Sequence, residues 1–481
     1  VEIRSHCVGK ETAMPAVATS STDPRASIAV YNPFDGSLVG AVTRLGVDEV
    51  REAIHEASQY DFALSAWDRY EILHQFCGLL HKKSEDYARL IAQESGKTIR
   101  DSRVEVKRSY QTFLLAAEEA KRINGEVLPI DAAAGMKKGF GLVMREPIGL
   151  VVAITPFNYP LNLVAHKVGP ALAANNPVVV KPSGLTPLTA YKMAEDLFEA
   201  GLPKSMLHIV SGSSNELGDE LITNPLVAKV TFTGSAEVGA KICAKMTGLK
   251  AKCMELGGND PLIVLGDADL DKALPIALEG ALGNNGQRCT SIKRIIIEDS
   301  IADRFVESFA HEAKQLVVGD QLSEETDVGP LITEDAALDI ERRVGNSMTR
   351  GARLLAGGQR EGALYWPAVL DHVASSDPLV VEETFGPVAP FVRVKSFEEA
   401  VAVANSTEFG LQAGIFTRDL DKAMAASKRL QAGAVIINNA PGYRAEHLPF
   451  GGVKQSGMGR EGVKYAVESM TRLKMTVIGS E

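Results

Sequence analysis

Cys289 lies in Gly286-Gln287-Arg288-Cys289-Thr290, a polar segment preceded by Asn284-Asn285. A thiol becomes a nucleophile as its thiolate, which needs a positive or hydrogen-bonding neighbourhood. Arg288 and Lys293 are close enough in sequence to supply one, and Asn284-Asn285-Gly286 reads as a flexible loop before it. A cysteine taken at random is more often a small buried hydrophobe. That bland reading suits Cys77 and Cys243, which stand in helical text, better than Cys289. Glu255, in Met254-Glu255-Leu256-Gly257-Gly258, is an acid at a strand end followed by two glycines, a place from which a general base can activate water. By itself a glutamate is usually a solvated surface group. Asn158, in Pro156-Phe157-Asn158-Tyr159-Pro160, offers a side-chain N–H to an oxyanion, a contact typically worth ~3 kcal/mol; the alternative is a turn former between prolines. Thr233-Gly234-Ser235-Ala236-Glu237-Val238-Gly239 does not have the G-x-G-x-x-G spacing. Its small residues between a strand and a helix can still receive a pyrophosphate at the helix N-terminus.

Regular elements must bring such side chains together. Leu150–Thr155 and Pro177–Lys181 are short apolar runs, and Leu207–Val210 and Lys229–Thr233 repeat the theme. Helical text lies between them at Leu161–Ala174, from about Pro187 to Ala200 with Gly201 as a stop, and from Ser235 onward. This alternation predicts βαβ units on a parallel sheet, with a ligand crevice beyond the carboxyl ends of the strands. Upstream, Val47 to Ile99 has helical period, and Asp101 to Arg122 reads as an amphipathic helix carrying Arg103, Lys107 and Arg108. A second alternation follows Leu262: helix Leu270–Leu282, strand Arg294–Glu298, helix Ile301–Val317, and strands near Pro390–Val394 and Gly433–Ile437. Residues 126–146 and the stretch from about Val463 are strand-like, and residues 11–28 read as a polar loop after an initial strand.

The 481 residues allow two or three compact units, and a net charge of -10 gives no basic stripe for a polyanion. The five cysteines (Cys7, Cys77, Cys243, Cys253 and Cys289) and the histidines, His166 and His447 among them, have no metal-ligand spacing. An odd, sparse cysteine set predicts a reducing compartment and no disulfide framework. No run approaches the ~18–20 apolar residues of a membrane span. The first residues, with Glu2, Arg4, Lys10 and Glu11, lack the apolar core of a signal peptide, and the chain opens on Val1, which leaves room for an earlier segment. A cytoplasmic, metal-free protein is expected.

The segments PFNYP, VVVKPS, FTGSAEVG, MELGG, GQRC, EETFGP (Glu382–Pro387) and PFGGVKQSG (Pro449–Gly457) occur in an order and spacing that resemble the aldehyde dehydrogenase superfamily, from about Tyr31 to Met475. The text GQRCTSIKR and PGYRAEHLPFGG is most similar to the branch with lactaldehyde, phosphonoacetaldehyde and non-phosphorylating glyceraldehyde-3-phosphate dehydrogenases, and to the plant family 21 enzymes, for which succinic semialdehyde is the leading substrate. The resemblance implies an α/β fold with a Rossmann-like cofactor domain (1–125 and 147–256), an α/β catalytic domain (257–455) and a small β oligomerisation flap (126–146 and 456–481), in a homodimer or homotetramer. It implies Cys289 as nucleophile, Glu255 as general base, Asn158 sharing the oxyanion hole with the Cys289 backbone N–H, and Lys167 near the base. Ile154, Thr155, Pro156, Phe157, Lys181, Ser183, Gly184, Gly234, Ser235, Gly239, Leu256, Glu383 and Phe385 would line the dinucleotide site.

Within that family, NAD-preferring members often carry Glu three residues after the lysine of VVVKPS; here the position is Gly184. Without a carboxylate to repel a 2′-phosphate, and with Lys181 nearby, NADP is the expected preference and NAD a possible second cofactor. Arg444, where the resemblance places the substrate-entry loop, Arg108 and Arg288, with Tyr159, are the expected contacts of a small anionic aldehyde, succinic semialdehyde first. For each arginine the alternative is an ordinary ion pair. Two rivals are an acylating dehydrogenase that passes the thioester to coenzyme A, against which Glu255 speaks, and a silent structural homologue, against which the complete Cys289, Glu255 and Asn158 set speaks.

Overall fold

The computed structural model describes residues 27–479. The expected initial strand, Cys7 and most of the predicted loop at 11–28 lie outside the described residues, while Ser27 and Ile28 belong to a strand, Ser27–Tyr31, that pairs with Leu38–Thr43.

Two sheets organise the molecule. The first has six strands in the order Gly457–Met458, Ala251–Glu255, Lys229–Thr233, Val151–Ile154, Val178–Lys181 and Leu207–Ile209, parallel except for the first pair. Lys229–Thr233 and Val178–Lys181 are buried at every position, which is why they read as continuous β-branched runs rather than alternating ones. Against this sheet packs the helix Asn162–Ala173, buried at all 12 residues. The second sheet has seven strands, ordered Arg353–Ala356, Ala368–Asp371, Val388–Val394, Ile292–Glu298, Asp260–Val264, Gln412–Phe416 and Ala434–Ile437, with only the first pair antiparallel. A three-stranded antiparallel sheet joins Thr471–Gly479, Gly139–Pro147 and Glu126–Pro129.

The long helical text from Val47 to Ile99 resolves into Val47–Ser58, Ala66–Lys82 and Ser84–Ser95, and the amphipathic helix spans Ile99–Ala120. The strand-like reading from Val463 is corrected at its start. Val463, Ala466 and Val467 recur at helical spacing and are buried on the helix Val463–Ser469, and the strand begins at Thr471. The expected flap segment 456–481 is therefore not one piece, because Gly457 and Met458 pair with Glu255 and Met254 at the edge of the first sheet. Among the described residues no helix is long and apolar enough to cross a membrane.

Candidate active site

The carboxyl ends of the first sheet bring Ile154 to Asn158, Lys181 to Gly184, Thr233 to Ser235 and Glu255 to Gly258 to one edge, as parallel strand–helix units do. Cys289 reaches that edge from the second sheet. A Cβ added at Gly258 would lie 2.2 Å from the Cys289 carbonyl oxygen, so the second glycine of MELGG is what lets the two segments touch. The loop before Cys289 is buried and held by side-chain hydrogen bonds, which its composition does not suggest. Asn284 and Asn285 adopt φ of 51° and 55° and are buried, a left-handed conformation that Asn tolerates better than most residues. Asn285 Nδ2 donates to the Pro330 carbonyl at 2.9 Å, its Oδ1 accepts from Gly329 N at 2.9 Å, and the Asn284 N–H donates to Asp101 Oδ2 at 3.0 Å.

Cys289 is half-buried. Burial pushes its thiol up to about 12, the Asp260 and Glu383 carboxylates add to that, and Arg444 opposes it. The expected activation by Arg288 and Lys293 is corrected. Arg288 turns away to the Glu279 carboxylate at 3.2 Å and the Gly280 carbonyl at 3.2 Å, and Lys293 Nζ donates to the Gly286 carbonyl at 2.7 Å. Burial of Cys289 therefore favours its neutral thiol. Asn158 Nδ2 donates to the Gln287 carbonyl at 2.8 Å, and the Asn158 backbone carbonyl accepts from Asn284 Nδ2 at 3.4 Å. One N–H of the amide is anchored two residues before Cys289 and the other remains to be offered.

Glu255 is 3% exposed, and neither carboxylate oxygen has a hydrogen-bond partner among the described residues. Burial and the Glu461 carboxylate drive its pKa well above the ordinary range, against the pull of Lys167, Arg444 and Arg460. Lys167 does not bond to Glu255. Its Nζ donates to Thr231 Oγ1 at 3.1 Å and to Glu461 Oε1 at 2.9 Å. Glu461 is the member that sequence reasoning missed; the only available signal was its place four residues beyond the PFGGVKQSG segment. Burial raises its pKa, yet Lys167, His166 and Arg444 together bring it down to about 2.

The two arginines expected to converge on a substrate tail both lie against the Glu446 carboxylate. Arg108 Nε donates to Glu446 Oε1 at 2.6 Å, and His166 Nε2 is 2.7 Å from Oε2. Arg444 places Nη2 at 3.3 Å from Glu461 Oε2 and 3.2 Å from His166 Nε2, with its guanidinium 3.8 Å above the Phe450 ring. Arg444 is therefore an embedded charge between Glu461 and Glu446. Arg108 is different: among the described residues its only side-chain hydrogen bond comes from Nε, which leaves both terminal nitrogens free, and it lies 5.9 Å from the Tyr159 ring centroid. Arg288 is committed to Glu279, and His447 is exposed.

The residues at the sheet edge fit a dinucleotide. Lys181 is 5% exposed, and among the described residues it pairs with no carboxylate and donates to Ser214 Oγ at 2.8 Å. Gly184 is exposed, and a Cβ there would meet nothing within 4 Å. Ser235 caps the helix Ala236–Lys245 by accepting from Val238 N at 3.3 Å, and Gly239 lets that helix close on Leu256, whose Cδ2 would be 2.4 Å from an added Cβ. Ser183 Oγ accepts from Leu185 N at 3.2 Å, and Glu383 Oε1 accepts from Gly258 N at 3.1 Å. Phe385 meets Phe157 edge-on at 5.9 Å, and Thr155 Oγ1 is buried without a partner among the described residues.

Two α/β sheets meeting over a cysteine, with a crevice at the carboxyl ends of parallel strands, form an arrangement that suits a cofactor-dependent oxidoreductase. The sequence profile of the "Aldehyde dehydrogenase family" matches residues 19–476, so the chain belongs to that family and oxidises an aldehyde with NAD(P). It is 43% identical over 454 residues to aspartate-semialdehyde dehydrogenase 1 of Pseudomonas canavaninivorans, covering 94% of this chain and 96% of that one. Among solved structures, a glyceraldehyde-3-phosphate dehydrogenase of Methanocaldococcus jannaschii complexed with NADP is 40% identical, with a TM-score of 0.91 over 95% of this chain and all of that one. Aldehyde dehydrogenase 21 of Physcomitrella patens, in complex with the reaction product succinate, is 36% identical, with a TM-score of 0.92 over 97% of this chain and 99% of that one.

Proposed function

We propose that the enzyme oxidises a small aldehyde with an anionic tail, succinic semialdehyde first among them, to the acid with NADP as preferred cofactor, through a thioester on Cys289 that is hydrolysed. The thiol of Cys289 adds to the aldehyde carbon, its proton leaving to water, and the free N–H of Asn158 holds the oxyanion. NADP, when bound, supplies the hydride acceptor. Glu255, whose raised pKa makes its ionised form a stronger base than an ordinary carboxylate, takes a proton from the water that attacks the thioester. The observation that carries hydrolysis is Glu255 itself, buried with both oxygens uncommitted. Replacing it with Gln should leave a single burst of NADPH without turnover; steady turnover at the wild-type rate would overturn the role, and an acyl-coenzyme A product would favour the acylating alternative.

Support for the anionic tail comes from the free terminal nitrogens of Arg108. The three relatives point the same way, since aspartate semialdehyde, succinate and glyceraldehyde 3-phosphate each carry an anion. Glu446 and Glu461 are both engaged by cations of the protein, so neither is offered to the ammonium of aspartate semialdehyde, which joins the competing substrates. Lactaldehyde, phosphonoacetaldehyde and glyceraldehyde 3-phosphate are the competing substrates; kinetics on all of them with both cofactors decides. For NADP, the supports are the Lys181 ammonium, which has no carboxylate partner among the described residues, and the open space at Gly184. We also read the three-stranded sheet as an oligomerisation face of a homodimer or homotetramer, because Val127, Phe140, Met144, Leu473 and Met475 are exposed on it. Light scattering that gives a monomer would refute this.

A further inference from the structure

Two buried charged residues, Lys97 and Glu105, take no part in the reaction as laid out. Their side chains are 1% and 0% exposed and form an ion pair. The second oxygen of Glu105, Oε1, accepts the backbone N–H of Leu161 at 2.9 Å and of Asn162 at 3.0 Å, where the helix Asn162–Ala173 opens. Lys97 Nζ lies 3.6 Å from the centroid of the Tyr159 ring. The pair thus grips the chain immediately after Asn158, at the next side chain and at two backbone amides, while Gln287 and Asn284 grip Asn158 itself from the Cys289 side.

A buried ion pair is seldom the most stable way to fill a core, and an apolar pair of similar volume often does as well or better. An apolar pair could not accept two N–H groups that the helix start leaves unsatisfied. A lone carboxylate could, but its charge would stand beside a site where negative charge develops and would oppose it. The ammonium removes that opposition, and its contact with the Tyr159 ring face adds a cation–π attraction.

We infer that Lys97 and Glu105 are positioning residues for the oxyanion donor: the carboxylate fixes the Asn158 turn to the head of the Asn162–Ala173 helix, and the ammonium keeps that carboxylate electrically silent toward the oxyanion. The inference rests on the reading of Asn158 as that donor. The test is single-turnover NADPH formation by the full-length enzyme with propanal, a neutral aldehyde that leaves tail recognition out. Lys97→Met should slow it at least thirtyfold while the KM for NADP stays within twofold. Glu105→Gln should slow it three- to tenfold. Lys97→Met/Glu105→Gln should be faster than Lys97→Met alone, because the uncompensated charge is gone. A Lys97→Met rate within threefold of wild type, a double variant no faster than Lys97→Met, or an equal loss of NADP binding overturns the inference. Should Lys97→Met not be recovered folded, the charge-neutral double variant decides, since a wild-type rate from it overturns the inference and a rate three- to tenfold lower, with NADP binding intact, supports it. Asn158→Ala separates the two levels. A near-wild-type rate there overturns the donor reading itself, whereas a loss of a hundredfold or more beside unaffected Lys97 and Glu105 variants overturns only the positioning.

Discussion

The proposed cofactor crevice and the charged network near Cys289 are built on opposite principles. The crevice is shaped by what is missing: Gly184 opens space, Gly239 and Gly258 allow close approach, and Lys181 is a buried ammonium without a carboxylate partner among the described residues. The network is shaped by what is present, with Arg108, Glu446, His166, Arg444, Glu461 and Lys167 each bound to the next. A glycine acts where it stands, so the crevice divides into separable parts. In the network each charge sets the state of its neighbours, and Glu255 feels Glu461, Lys167 and Arg444 although none of them bonds to it. Single changes should be local in the crevice and shared in the network.

The strongest way to break that contrast is at Glu255. Loss of a general base typically costs 10²–10⁴-fold, and Glu255→Gln is expected to lower kcat about a thousandfold with the burst retained. Because burial raises its pKa, the wild-type kcat, where hydrolysis limits it, should rise with pH through a value above the ordinary range for Glu. A pH profile unchanged in Glu255→Gln would detach the base from the network.

Next in size are the arginines, which the geometry separates. Arg108→Ala removes a free fork and should raise KM for succinic semialdehyde about 10–100-fold, as a charge-assisted contact of roughly 1.5–3 kcal/mol implies, while sparing propanal. Arg444→Ala uncovers the Glu461 and Glu446 carboxylates and should lower kcat for both substrates alike. A tail-selective KM effect from Arg444 and none from Arg108 would reverse the assignment.

How far the sequence could be read follows the same division. The strands Val151–Ile154, Val178–Lys181 and Lys229–Thr233, the helix Leu270–Leu282, and the glycines at Gly239 and Gly258 were legible because their causes are local: β-branched runs, a 3.6 period, small residues after strands; Gly184 was legible only through the family resemblance. Glu446 and Glu461 were not, because their meaning lies in partners 338 and 294 residues away. Arg288 misled for the same reason. Its neighbour in sequence is Cys289, but its neighbour in space is Glu279. Asn284-Asn285-Gly286 misled in the other direction, since residues that suit a mobile loop equally suit a left-handed turn held by side-chain hydrogen bonds.

In the crevice, Gly184→Glu should lower kcat/KM for NADP at least tenfold and change that for NAD little, since the carboxylate would enter open space and repel only the 2′-phosphate. Equal losses with both cofactors would mean that the loop itself had moved. Thermal stability should be untouched, as befits an exposed glycine with φ in the ordinary region.

The smallest effect sharpens the contrast through stability. Glu461 has a folded pKa of about 2, below its unfolded value, so its contribution is present above about 4.5 and is lost as pH falls toward 2. Glu255 has the opposite sign. Its folded pKa is raised, so its contribution is complete below the unfolded value and is lost as pH rises through the folded one. At pH 8 the network therefore holds Glu255 as a cost, and Glu255→Gln should raise the melting midpoint by about 2–4 °C, the shift that roughly 1 kcal/mol gives a chain of 150–250 residues and an upper figure for this longer one. Below pH 4 the advantage should vanish. Glu461→Gln should instead lose stability at pH 8 and show a flatter decline between pH 4.5 and 2. A Glu255→Gln midpoint at or below wild type at pH 8 would mean that the base is not strained by its surroundings. Its reactivity would then have to come from the bound substrate rather than from the carboxylates and cations packed behind it.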